Sequence, residues 1–167
     1  MPWKRLPRWV LDYGVVAVIT VVVLGWLFSG KSDPPPILGP APQVLLTQTD
    51  GTEFDLMARR GSPVLLVFWA EWCGACRSQV EDLNRLHEEQ PELAILGVAV
   101  DSGDQASVAR HAKRHGIEFP VAPADAITLS QYQVSVLPTN VFIDAQGSVT
   151  EAVVGALDHK GFSRRLP

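Results

Sequence analysis

Cysteine is almost absent from this chain, because only two of its 167 residues are cysteines, Cys73 and Cys76. Since both belong to one short motif, no cysteine is left to build the disulfide framework of a small extracellular domain. No second pair of cysteines completes the four ligands of a structural zinc site. The fold must therefore be held together by its hydrophobic core.

A large excess of charge of either sign is also missing, since 14 lysines and arginines stand against 18 aspartates and glutamates. Three of the cations, Lys4, Arg5 and Arg8, lie close to the N-terminus, so the rest of the chain is more acidic than the whole. Nucleic-acid-binding domains carry basic patches or stripes. We therefore expect no nucleic-acid partner.

A long apolar segment is present over residues 9–28. About 20 residues are what a helix needs to cross the hydrocarbon layer of a membrane. Cations precede the segment and only Lys31 follows it closely, which predicts a cytoplasmic N-terminus and an external remainder. A cleaved signal peptide is the alternative, but the apolar run is longer than a usual signal core and a good cleavage site is missing. We expect an uncleaved membrane anchor.

Proline and glycine are concentrated in residues 29–42, where three consecutive prolines favour an extended conformation. This composition predicts a semi-rigid linker between a cytoplasmic stub with a transmembrane anchor, residues 1–28, and a folded part, residues 43–167. The folded part is long enough for one well-cored domain and too short for two.

Apolar runs predict two central strands, over residues 64–69 and 93–100, because continuous β-rich runs are typical of strands covered on both faces. Helical spacing follows the first run over residues 74–90. Ser102 and Gln105 follow the second at the spacing of a capping box and predict the start of another helix. A strand–helix–strand order of this kind implies a parallel pair with a crossover.

Shorter sequence patterns predict the remaining elements of an α/β domain, in which helices flank a mixed central sheet. Turn signals predict a hairpin before the first central strand and another near the C-terminus. The remaining predicted segments are a hairpin over 44–56, an extended piece over 119–121, a short helix over 125–132, strands over 136–143 and 148–154, and a last helix over 157–166.

Cys73 and Cys76 lie where the first central strand gives way to a helix. Unpaired backbone N–H groups and the helix dipole stabilise a thiolate at such a position. Cys73 is therefore the predicted nucleophile, and Cys76, on the same face of the first turn, the thiol that displaces a bound partner. Gly74 and Ala75 are small enough to let a substrate approach, and Trp72 is predicted to wall the sulfur site.

Other interpretations of the cysteine pair are possible. A structural crosslink would close so small a ring that it contributes only about 2 kcal/mol. A c-type haem attachment needs a histidine where Arg77 stands. His111 and His115 have helical spacing for a metal, but their place near a helix end favours solvated histidines. We expect no metal and no cofactor other than a redox-active disulfide.

Two separated stretches resemble the thioredoxin superfamily, namely residues 69–76 (WAEWCGAC) and 136–139 (VLPT). The resemblance is closest to the membrane-tethered extracytoplasmic branch, the TlpA/ResA/DsbE-like proteins, and possible kin are the thioredoxin-like proteins of copper-sensitivity suppressor clusters. It implies a thioredoxin-like fold, a cis Pro138 beside a Cys73–Cys76 disulfide, and a Leu137 whose backbone binds an extended substrate. Further matching stretches are 98–101 (VAVD), 116–121 (GIEFPV), 132–134 (YQV) and 142–147 (FIDAQG).

Three departures from the family pattern concern potential and proton transfer. Ala75 replaces the proline that thioredoxin has between its cysteines, so the redox potential is not implied. Val67 stands where thioredoxin has a buried aspartate that moves a proton to the inner cysteine, and Gln79 where ResA-like proteins often have a glutamate. Glu71 is then the nearest candidate for proton transfer, with a solvated loop carboxylate as the alternative.

The resemblance implies a thiol–disulfide oxidoreductase of a bacterial inner membrane, with its domain in the periplasm and protein thiols or disulfides, such as apocytochromes c, as substrates. We expect the protein to work as a reductant. Because the periplasm is kept oxidising, a reductant there needs a transmembrane electron donor, here of DsbD type. An oxidant of the same fold is the first alternative. The second is a module that holds or delivers Cu(I) on the two cysteines without turnover.

Overall fold

A computed structural model describes residues 18–21, 23 and 38–166, in two compact units, Met1–Asp33 and Pro34–Pro167. In the first unit, residues 18–21 and 23 are helical. Most of the predicted anchor and linker lies outside the described residues. Within the described part of the chain, no helix has the length and apolar character needed to cross a membrane.

The described part of the second unit contains eight strands, β1 (Gly39–Pro40), β2 (Leu45–Thr47), β3 (Glu53–Asp55), β4 (Val64–Trp69), β5 (Ala94–Ala99), β6 (Val121–Pro123), β7 (Thr139–Ile143) and β8 (Ser148–Val154). Six of them form a mixed sheet in the order β1-β8-β7-β4-β5-β6. Neighbours β4, β5 and β6 run parallel, whereas β7 pairs antiparallel with both β4 and β8. Strands β2 and β3 form the separate hairpin that the sequence predicts.

Successive residues of β4 point to opposite sides of the sheet, and helices cover both of its faces. Leu65, Val67 and Trp69 pack on one face with side chains of the helices that follow β4, β5 and β8. The other three residues of β4 pack on the opposite face with the β2–β3 hairpin and with Tyr132. The helices are α1 (Gly74–Arg77), α2 (Val80–Glu89), α3 (Gln105–Arg114), α4 (Ala126–Gln131) and α5 (His159–Ser163).

The helix predicted over residues 74–90 is in fact two helices, α1 and α2, interrupted at Ser78 and Gln79. The Ser78 hydroxyl donates to the carbonyl of Ala75 at 2.8 Å, a local bond that competes with helix continuation. Gln79 turns its side chain into the interior, where it is fully buried. Apolar spacing continues across the break, which is why the pattern alone does not show it.

The predicted cap of α3 is also wrong. Asp104 caps this helix, because its carboxylate accepts from the backbone N–H of Ser107 at 2.9 Å. Ser102 is buried instead, and its hydroxyl donates to the carbonyl of Val100 and accepts from the N–H of Glu71. Ser102 therefore ties the loop before the cysteines to the end of β5.

The sheet begins earlier than residue 43. Gly39 and Pro40, placed in the linker by the sequence, form the edge strand β1, in which Gly39 pairs with Val149 of β8. The N–H of Ala41 donates to the carbonyl of Gly147 at 2.9 Å. Proline is tolerated on an edge strand because it is not required to donate there.

Tyr132 anchors the chain between β1 and β2, and its replacement by phenylalanine tests that contact. Its buried hydroxyl donates to the carbonyl of Pro42 at 2.7 Å, and its ring packs on Phe68. We expect Tyr132→Phe to lower the free energy of unfolding by about 1–2 kcal/mol, because a buried carbonyl loses its donor. Urea unfolding measures the loss.

The pH dependence of that variant supplies a second test. Burial raises the pKa of the Tyr132 phenol above its ordinary value of 10.0. The neutral phenol therefore stabilises the fold below about pH 10, and this contribution is lost as the pH rises toward the folded-state pKa. Tyr132→Phe removes that alkaline loss, and an unchanged alkaline profile would contradict the assignment.

Candidate active site

Cys73 and Cys76 form a disulfide with an S–S distance of 2.06 Å. They stand at the strand-to-helix junction that the sequence predicts, since the chain leaves β4 at Trp69 and enters α1 at Gly74. Cys73 is the N-cap of α1, and its sulfur accepts from the N–H of Cys76 at 3.1 Å. Both sulfur-bearing residues are buried, and only 3% of Cys76 is exposed.

The peptide bond between Leu137 and Pro138 is cis, as the resemblance implies. Strand β7 begins directly after it at Thr139, which pairs with Phe68, one residue from the end of β4. The topology therefore brings Pro138 to the end of the sheet from which the cysteine loop emerges. Leu137 packs against the hydrophobic cluster that contains both cysteines.

Apolar side chains are exposed at this end of the sheet. Trp72, next to Cys73, is 63% exposed, and Gly74 and Ala75 are exposed between the cysteines. Val136 and Val154 are each 37% exposed, and Val154 pairs with Thr139 beside the cis peptide. A polypeptide that reaches the disulfide would therefore meet an aromatic ring, two valines and little steric hindrance.

Glu71, the predicted proton-transfer candidate, faces helix α3. Its carboxylate accepts from Arg114 Nη1 at 2.8 Å and lies 3.7 Å from His111 Nδ1. Its backbone N–H bonds to Ser102. The structure thus places this carboxylate in an ion pair on the surface, a type of pair that contributes little to stability.

A buried amide pair that the sequence analysis missed lies next to the cysteine loop. Gln79 Nε2 donates to Asn140 Oδ1 at 3.2 Å, and Gln79 Oε1 accepts from Asn140 Nδ2 and from the N–H of Leu157. Asn140 Nδ2 also donates to the carbonyl of Gly155 at 3.0 Å. The signal for this pair was a polar asparagine inside the apolar run of β7. Each of the four polar side-chain atoms of this pair has at least one partner, as buried polar groups require.

A small cavity lies behind Cys76, with a volume of about 10 Å³ open to the centre of a water molecule. This volume is about what one water needs. Two polar atoms of the lining residues are buried and have no hydrogen-bond partner within the described part of the chain, Trp69 Nε1 and His115 Nε2. The remaining lining residues include Val67, Gln79, Arg77 and Phe119.

His115 therefore differs from its prediction as a solvated histidine. Its ring is half-buried, and burial lowers its pKa below the ordinary 6.5, with a further lowering from Arg77. His111 is also largely buried, with 19% of its side chain exposed. Among the described residues, no group of three or more metal-binding side chains is arranged to hold an ion.

Comparison with known proteins assigns the family. The sequence model described as the AhpC/TSA family matches residues 37–152, which is more than half of the chain. The chain belongs to the AhpC/TSA family. This family member is 32% identical to the thiol-disulfide oxidoreductase ResA of Geobacillus kaustophilus over 128 residues, which cover 75% of this chain and 74% of that protein. It is 29% identical to ResA of Bacillus subtilis over 167 residues, 92% of this chain and 89% of that protein.

A solved structure confirms the thioredoxin-like fold of this AhpC/TSA family member. The thiol:disulfide interchange protein of the thioredoxin family from Chlorobium tepidum aligns with a TM-score of 0.69 and 26% identity, covering 81% of this chain and 97% of that one. The predicted resemblance to ResA-like proteins is therefore confirmed. The chain is a thiol-disulfide oxidoreductase of the ResA type, and its Cys-x-x-Cys pair is Cys73–Cys76.

Proposed function

We propose that this oxidoreductase is anchored in a bacterial inner membrane by residues 1–28 and reduces protein disulfides in the periplasm through the domain that follows its linker. The disulfide carries the proposal, since it lies at the same end of the sheet as a cis proline and several exposed apolar side chains. The apolar run over residues 9–28 and the cations that precede it support the anchor and its orientation.

The two sulfurs have different roles in the proposed reaction. The thiolate of reduced Cys73 attacks a substrate disulfide, which releases one substrate sulfur as a thiolate and leaves a mixed disulfide. The thiolate of Cys76 then attacks the Cys73 sulfur, the second substrate sulfur leaves with the electron pair, and the Cys73–Cys76 disulfide forms. The substrate is reduced by two electrons, which a transmembrane donor of DsbD type returns to the enzyme.

Substrate binding is proposed for the residues that surround the disulfide. Trp72 offers an exposed ring beside Cys73, and Gly74 and Ala75 leave the approach to the sulfur open. The backbone of Leu137, held before the cis Pro138, binds an extended segment of substrate. Oxidised protein thiols, including those of apocytochromes c, are the substrates that this arrangement suits.

A redox titration of the periplasmic domain tests the direction of exchange. Equilibration with thiol–disulfide buffers, followed by counting free thiols, gives the potential of the Cys73–Cys76 pair. We expect a value closer to the roughly −270 mV of thioredoxin than to the roughly −120 mV of DsbA. A value near the oxidising end would instead identify the protein as a thiol oxidant.

The same purified domain distinguishes enzyme from copper carrier. The proposal predicts catalytic reduction of a protein disulfide, such as those of insulin, in the presence of a thiol donor. Stoichiometric Cu(I) on the reduced domain without any reductase turnover would favour a copper-binding or copper-delivery module.

A further inference from the structure

The second half of the proposed reaction requires Cys76 to lose a proton in a site that water hardly reaches. Only 3% of Cys76 is exposed. The thiolate is the attacking species, and burial in apolar surroundings disfavours that charged form. A group that accepts the proton must therefore lie on the buried side of this sulfur.

The cavity behind Cys76 restricts the choice of that group. Among the described residues that line it, only Cys76, Arg77 and His115 carry ionisable side chains. Arg77 cannot accept a proton, because a guanidinium stays protonated in proteins. Val67 and Gln79, which line the same cavity, have no ionisable group. His115 is the base that remains.

Two of the lining residues each carry a polar atom that a bound water would satisfy. Trp69 is 4% exposed, and its buried Nε1–H has no acceptor among the residues that the structure describes. His115 Nε2 is buried without a partner as well. The space is about that of one water, and buried waters typically bond to polar groups that are otherwise unsatisfied. A water bound here can accept from the indole N–H and from the Cys76 thiol and donate to His115 Nε2.

His115 also borders an open surface cleft, together with Asn84, Arg85 and Glu88. His115 thus borders both the cavity behind Cys76 and the surface cleft, which gives an accepted proton a way out. Burial and the cations near it lower the pKa of His115, so the imidazole is neutral and able to accept at neutral pH. The charged or titratable groups around it are Glu71, Arg77, Glu81, Arg85, Glu88, His111, Arg114 and Glu118.

We propose that His115 relays the proton of Cys76 through a water held between its Nε2 atom, the Trp69 indole and the Cys76 sulfur. The inference rests on the resolving role proposed for Cys76. In that step the thiol gives its proton to the water, which passes a proton to Nε2, and the thiolate attacks the Cys73 sulfur. The S–S bond to the substrate breaks, the substrate sulfur takes the electron pair, and the imidazolium releases its proton to the surface cleft.

The relay is tested by rapid oxidation of the reduced full-length protein with oxidised glutathione, quenched in acid and analysed by mass spectrometry. This measurement separates formation of the glutathione adduct on Cys73 from its resolution by Cys76. We expect His115→Gln to leave adduct formation unchanged and to slow resolution by roughly 10-fold, less than the about 10²–10⁴-fold typical of positioned bases because solvent can partly substitute.

The pH profile separates a relay from a merely structural role. Protonated His115 cannot accept, so the wild-type resolution rate should fall by an extra step below about pH 6.5, the ordinary histidine pKa. His115→Gln should lack that step. The matched control is His87→Gln. His87 is also half-buried and has a ring nitrogen without a partner among the described residues, but it lines other clefts, so its replacement should change neither rate.

Trp69→Phe provides a second variant should His115→Gln not fold, since it removes the indole donor and should slow resolution in the same direction. A wild-type resolution rate and pH profile in the folded variants would overturn the relay. If the wild-type protein itself forms no glutathione adduct or never resolves it, the proposed roles of the cysteines are wrong. The two failures are therefore distinguishable.

Discussion

Replacing Cys76 with alanine is expected to trap protein substrates on Cys73 as stable mixed disulfides. The first attack needs only the Cys73 thiolate, whereas release of the product needs the second sulfur. Cys76 is buried, and its backbone N–H donates a hydrogen bond to the Cys73 sulfur. Alanine at this position therefore keeps that hydrogen bond and removes only the resolving sulfur. Catalytic turnover should fall to background while adducts accumulate.

The measurement is non-reducing electrophoresis and mass spectrometry of the full-length Cys76→Ala protein, isolated from cells whose thiols have been blocked with acid and alkylating agent. Cys73→Ala is the matched control and should carry no adduct, because the remaining sulfur is the less accessible one. The proteins trapped on Cys73 identify both the substrate and the electron donor. Absence of any adduct, together with an ordinary titration of the Cys73 thiol, would contradict the attack mechanism.

The strands and the position of the cysteines were predictable from the sequence for a physical reason. Helices and a hairpin cover both faces of β4 and β5, so their residues are apolar without interruption and each strand shows as a continuous run. The CxxC motif then falls at the carboxyl end of β4 because the run ends at Trp69. A local sequence pattern is therefore enough to predict a strand in which every residue is buried.

Other features depend on contacts between distant parts of the chain. The break at Gln79 reflects its bonds to Asn140 and to the N–H of Leu157, partners far away in sequence. The burial of His115 depends on how the end of α3 packs near α1. A histidine after basic residues is typical of a solvated helix end, and no local pattern shows that His115 lines the cavity behind Cys76.

Ala75 limits what the family assignment says about direction. It is exposed between the two sulfurs, at the position where the resemblance to thioredoxin would place a proline. The ResA relatives support the reaction class, while the potential depends on the relative stability of the dithiol and disulfide forms in this chain. The reductant assignment therefore depends on the redox titration more than on the fold.

Changing Gln79 to glutamate is expected to destabilise the domain by about 2–4 kcal/mol at neutral pH, because a charge replaces a neutral amide in a fully buried network. The amide Nε2 of Gln79 donates to Asn140 Oδ1, and an ionised carboxylate has no hydrogen to offer there. Asn140 could reverse its amide only by taking its donor away from the carbonyl of Gly155.

The loss in Gln79→Glu should depend on pH in a definite direction. A protonated glutamate can donate to Asn140 Oδ1 as the amide does, so the variant should approach wild-type stability below about pH 4.3, the unfolded-state pKa of glutamate. Burial raises the folded-state pKa of such a carboxyl, so the native state binds the proton more tightly and stability falls as the pH rises above that value. Urea unfolding at a series of pH values measures this slope.

The matched control is Glu81→Gln, which exchanges the same two residue types in the opposite direction at an exposed position of α2 and should leave stability nearly unchanged. A Gln79→Glu protein that is as stable as the wild type at neutral pH would mean that the buried Gln79–Asn140 network accommodates a charge, which would contradict the predicted loss.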